Sequence, residues 1–86
     1  MIVDPDFLDH WRTRLVVSLL GDDELAPVYI IRIWAHCQVS RSVHFPGMSA
    51  AGLRSLCRFG GEAKKLEAAL LEGGFIQRDG DAVTVP

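Results

Sequence analysis

The chain of 86 residues has room for one hydrophobic core, which argues for a single domain over residues 1–86 and excludes a multidomain enzyme. An apolar fraction of 49% and a charged fraction of 23% exclude a disordered, highly charged chain. A net charge of -2 and a pI near 5.8 exclude a uniformly basic nucleic-acid binder.

The acidic half comes first. Asp4-Pro5 offers an N-cap followed by proline at the first helical position, and Asp6 with Asp9 offers a second, capping-box-like start. Leu8, Trp11, Leu15 and Leu19 then recur at three- and four-residue spacing, with Arg12, Arg14 and Ser18 off that line. An amphipathic first helix ending at Gly21 is expected, with Leu15 and Leu19 in the core. Val16, Val17 and Leu20 lie on a second apolar line in addition to Trp11, Leu15 and Leu19, which makes the first helix the candidate surface for self-association.

The acids Asp22, Asp23 and Glu24 suit a helix N-terminus, and Pro27 is tolerated only in a first turn, so the second helix starts near residues 24–27. From Val28 to Val39 nearly every position is apolar, which marks a central helix contributing Ile30, Ile31 and Trp34 to the core. Arg32, His36 and Ser40 fall on its one polar stripe. Arg32 and His36 face either a partner or an acid of the first helix. Residues 25–39 are too few to span a bilayer, and the N-terminus lacks the basic and apolar regions of a secretory leader. The expected setting is the cytoplasm, with Cys37 and Cys57 as free, buried thiols.

Ser42-Val43-His44-Phe45 leans towards strand and meets the turn pair Pro46-Gly47, giving a short extended piece or edge strand. Ser49 caps a helix that turns Leu53, Leu56 and Cys57 inward and Arg54, Ser55 and Arg58 outward, ending at Gly60-Gly61. A further helix over residues 62–72 buries Ala63, Leu66 and Leu70. After Gly73-Gly74, residues 75–78 and 82–85 alternate in polarity around Asp79-Gly80-Asp81, which predicts a hairpin burying Phe75 and Ile76.

This order, a helix-turn-helix about residues 49–73 and a hairpin about 75–85, suits a second helix lying in a major groove beside a hairpin wing. The stretch Ala68-Ala69-Leu70-Leu71-Glu72-Gly73-Gly74-Phe75-Ile76-Gln77-Arg78-Asp79-Gly80 resembles the recognition helix and wing of winged helix-turn-helix proteins. With Ile31-Arg32-Ile33-Trp34-Ala35 ahead of it, the whole order is similar to N-terminal domains of phage and prophage replication-organiser proteins. The resemblance implies a mainly α fold with a small β-hairpin (α+β), a winged helix with an extra N-terminal helix. It also implies a DNA-binding or replisome-assembly module of a regulatory or phage-related protein.

The residues themselves favour phosphates over bases. Residues 41–65 hold Arg41, Arg54, Arg58, Lys64 and Lys65 against Glu62 alone, while residues 1–24 hold six acids and two bases. Arg54, Arg58, Lys64 and Lys65, with Arg41 in the same stretch, are the candidate phosphate contacts. The outward face of the last helix, Lys64, Lys65, Ala68 and Glu72 flanked by Leu71, lacks the side chains that read base edges. The hairpin tip carries two acids, offset only by Arg78. These features leave open an adaptor that binds a protein or itself, as well as cations that merely solvate a surface.

No His or Cys spacing suggests a metal site, no glycine-rich loop suggests a nucleotide, and no nucleophile has a visible base. A binding module without cofactor is expected, not an enzyme. Phe7, Trp11, Tyr29 and Trp34 suit a core at their helical spacing better than an exposed stacking platform.

Overall fold

In the computed structural model, which describes residues 6–86, the chain makes four α-helices and a three-stranded antiparallel sheet. The order is consistent with winged-helix-like topology. Phe7–Asp9 forms a 3₁₀ turn, and His10 rather than an aspartate opens helix α1 (Trp11–Leu19), its Nδ1 accepting the Arg12 amide at 3.2 Å. The expected cap at Asp4-Pro5 lies outside the described residues, and Asp6 makes no side-chain capping bond.

Helix α1 presents the opposite line from the one its spacing suggested. Thr13, Val16, Val17 and Leu20 are buried, whereas Trp11 is 64% and Leu19 40% exposed and Leu15 is half-buried. The reason is the closeness of the last helix: a Cβ at Gly73 would lie 2.6 Å from Val16 Cγ2. Such an approach admits β-branched and small side chains but not an indole. The aromatic position is filled instead by Phe7, whose ring centroid lies 4.9 Å from that of Trp34 and 6.4 Å from that of Phe75.

Helix α2 (Ala26–Ser40) has Pro27 in its first turn, as expected. Asp23 prepares its start: one carboxylate oxygen accepts the Leu25 amide at 2.9 Å and the other accepts the Tyr29 hydroxyl at 2.8 Å. After strand β1 (His44–Phe45), Ser49 caps helix α3 (Ala50–Cys57) by accepting the Gly52 amide at 3.1 Å. Helix α4 (Ala63–Glu72) follows.

Strands β2 (Gln77–Asp79) and β3 (Ala82–Thr84) pair antiparallel around Gly80, whose φ of +60° suits the tight loop. The sheet order is β1-β3-β2, so Val83 pairs with both Phe45 and Arg78. The extended piece at residues 44–45 is thus an edge strand of the same sheet.

One hydrophobic cluster joins every helix to the sheet. Of the expected core, Ile30, Leu53, Leu66, Leu70 and Ile76 are buried, while Ile31, Trp34, Leu56 and Phe75 pack against the cluster half-buried. Among the described residues no helix is long and apolar enough to cross a membrane.

Candidate nucleic-acid interface

The α3–α4 pair carries the basic stretch. Helix α3 does not end at the glycine pair but at Arg58, which takes the left-handed conformation (φ 56°) while its amide bonds the Arg54 and Ser55 carbonyls. Arg41 does the same at the end of α2 (φ 53°). A residue with a Cβ is strained there by roughly 1–2 kcal/mol, and glycine is the usual occupant. Gly61 is needed for a different reason: a Cβ would meet the Phe59 ring at 2.7 Å.

All five bases of residues 41–65 are exposed, and none has a carboxylate within ion-pair distance among the described residues. Arg54 Nε donates to the Gly61 carbonyl at 2.7 Å, which lays the side chain along the turn between α3 and α4. Arg58 lines a cleft of about 300 Å³ between α2 and α3 with Arg32, Ala35, His36, Val39 and Leu56.

Lys64 and Lys65 occupy the first turn of α4, where consecutive residues diverge by about 100°. Lys64 stands on the outer face with Ala68, Leu71 and Glu72. Lys65 reaches the other way, its Nζ 3.9 Å from where a Cβ on Gly21 would be, beside the acidic turn that precedes α2. The four cations of the two helices therefore border the pair on several sides rather than forming one cluster.

The remaining arginines are mostly engaged inside the protein. Arg14 pairs with Glu24 through two bonds of 2.9 Å, which raises the Arg14 pKa and lowers that of Glu24. Arg32 donates to the Cys57 carbonyl at 2.6 Å, where a cation meets the negative end of α3. Among the described residues it pairs with no acid of the first helix. Arg78 does not soften the acidic hairpin tip: it donates to Glu67 and to the Met48 carbonyl, leaving Asp79 and Asp81 exposed. Neither role could be read from spacing, because the three acceptors are distant in sequence.

The histidines are placed by structural contacts. His10 caps α1, His36 packs on Phe45 at 5.1 Å, and His44 Nδ1 lies 3.0 Å from Thr84 Oγ1 across β1 and β3. Among the described residues no group of His, Cys, Asp or Glu could hold a metal ion. Both cysteines are free thiols, and burial pushes Cys57 up to about 12 and raises Cys37. Cys37 is half-buried rather than buried. Of the four aromatics considered for the core, Phe7 and Tyr29 are buried and Trp34 is half-buried, but Trp11 lies at the surface. Trp11 is flanked there by the His10 ring and the Arg12 guanidinium.

No family model, curated protein or solved structure matches the chain.

Proposed function

We propose that this chain is a DNA-binding module of winged-helix type, from a regulatory or phage-related replication protein, that holds phosphates and reads little base sequence. The observation that carries the reading is the segregation of its cations. Arg14 and Arg78 are paired with carboxylates, whereas Arg41, Arg54, Arg58, Lys64 and Lys65 are exposed without one among the described residues. Cations without an ion-pair partner at the edges of a helix pair suit a polyanion.

Two features set the character of the contact. The outer face of α4 offers Lys64, Ala68, Leu71 and Glu72, so base edges meet no bidentate reader. The acidic hairpin tip repels phosphates, which moves the footprint away from the wing and towards the turn between α3 and α4. In this reading the module acts in the cytoplasm, needs no cofactor and performs no chemistry.

The test is fluorescence anisotropy on two duplexes of unrelated sequence across a salt series. Both duplexes should bind alike, with affinity falling steeply as salt rises, and Lys64→Glu with Lys65→Glu should abolish binding while leaving the melting curve intact. No binding at low salt would refute the reading. A second reading, an adaptor for protein or self-association, draws on Leu8 (56%), Trp11 and Leu19, which leave apolar surface exposed on α1 and the turn before it.

A further inference from the structure

The cleft of about 300 Å³ between α2 and α3 gathers basic side chains that lie apart in the sequence. Arg32 and His36 stand one turn apart on α2, and Arg58 reaches the same cleft from the end of α3. Ala35, Val39 and Leu56 complete the lining, which holds no acid among the described residues.

Each of the three retains hydrogen-bonding capacity. Arg32 donates one N–H to the Cys57 carbonyl at 2.6 Å, which fixes a half-buried guanidinium and leaves its other N–H groups. Arg58 has no ion-pair partner among the described residues. Its left-handed backbone would suit glycine better, so the backbone does not call for an arginine there. The His36 ring is placed by packing on Phe45 at 5.1 Å, and among the described residues no hydrogen bond occupies its nitrogens. A fixed arginine, a second arginine and an imidazole on one acid-free cleft match the oxygens of a phosphate group. Val39, at 85% exposure, adds apolar surface beside these cations that a bare ion would not use but a sugar would.

We infer that this cleft seats a phosphate group of the DNA backbone, held by Arg32, Arg58 and His36, with the adjoining deoxyribose against Val39 and Leu56. That the phosphate comes from DNA rests on the function proposed above; the anion site itself does not. The footprint then runs from the turn between α3 and α4 across the end of α3 onto α2, and it takes in Arg32 and His36, which lie outside the basic stretch of residues 41–65.

Two measurements separate the site from the source of its ligand. In the first, inorganic phosphate and acetate are titrated at equal ionic strength into the ¹⁵N-labelled protein. Phosphate should give saturable shifts at the Arg32 and Arg58 Nε–H groups and at the His36 imidazole, with smaller shifts for acetate, and Arg58→Gln should weaken phosphate severalfold. In the second, fluorescence anisotropy on a duplex compares Val39→Glu, which puts a carboxylate at the cleft rim, with Ser18→Glu, which adds the same charge on the exposed face of α1. Both positions are exposed, so the melting curves should match. Val39→Glu should weaken DNA binding by roughly tenfold and Ser18→Glu far less. The inference is overturned if the phosphate shifts are absent or do not saturate, if acetate matches phosphate, or if the two glutamate variants lose DNA affinity equally. Saturable phosphate binding by a wild type that binds no duplex would overturn the DNA reading, and the backbone as source with it, while the phosphate seat would stand.

Discussion

Arg78 of β2 and Glu67 of α4 form an ion pair that fastens the hairpin to the helix pair, and the same guanidinium donates to the Met48 carbonyl at 2.5 Å. Both side chains are mostly buried, at 23% and 20% exposure. The bond therefore differs in kind from the exposed Arg14–Glu24 pair, whose contribution solvent screens.

Arg78→Ala leaves the Glu67 carboxylate without its partner and the Met48 carbonyl without a donor. It should destabilise by about 2–3 kcal/mol, a fall in melting temperature of roughly 10 °C or more for a domain of this size. Glu67→Gln, which still offers an acceptor, should lose less. Thermal unfolding followed by circular dichroism checks both; equal stability of Arg78→Ala and wild type would show that the pair contributes nothing.

Gly73 adopts an ordinary helical φ of -73°, so alanine is conformationally welcome there and intrinsic helix preference even favours it. Space decides otherwise: the new Cβ would sit 2.6 Å from Val16 Cγ2 and 3.0 Å from the Phe75 ring, and Val16 is stiff and fully buried. Gly73→Ala should destabilise by about 1–3 kcal/mol. Val16→Ala introduced beside it should destabilise less than it does alone, because the two changes share one contact. Strict additivity in chemical denaturation would contradict this.

Arg58→Gly and Arg41→Gly separate the backbone from the side chain. Glycine relieves the left-handed strain at φ 56° and 53° but loosens the unfolded chain, so stability should hold or rise by up to about 1 kcal/mol. Each loss of a phosphate contact should meanwhile reduce the salt slope of DNA affinity by about one unit. Unchanged affinity in both variants would remove these arginines from the interface.

Stability should decline on the alkaline side. Burial pushes Cys57 up to about 12, whereas an unfolded thiol ionises near ~8.5. Burial, reinforced by the bond to Asp23, likewise pushes Tyr29 up to about 12 from an ordinary value of 10.0. In both cases the unfolded state binds fewer protons over that interval, so folding free energy is full below the unfolded pKa and falls as pH rises towards the folded one. Denaturant midpoints should drop from about pH 8.5 upward, and Cys57→Ala should flatten the first part of the decline. A midpoint constant to pH 11 would refute the assignment.

The sequence by itself determined the order and type of the elements. Ser49, the glycines near residues 21 and 73 and the alternation around Gly80 act locally, and local rules can be read without knowing what lies across the core. The inward lines of α3 and α4 were legible in part for the same reason: Leu53, Cys57, Leu66 and Leu70 are buried, whereas Leu56 and Ala63 are half-buried and Ala69 takes an unexpected buried place. Five candidate cations were legible as exposed because nothing apolar competes for their positions. Only the tertiary structure decided which of two apolar lines α1 buries. Trp11 and Val16 are both apolar, and the choice depends on the closeness of Gly73, a residue far along the chain. It also decided which arginines are turned inward: Arg32 and Arg78 look as available in sequence as Arg54, but they are half-buried against Cys57, Met48 and Glu67, whereas Arg54 stays exposed beside Gly61. The cleft between α2 and α3 belongs to the same class, because its lining combines Arg32 and His36 with Arg58, which only folding brings together.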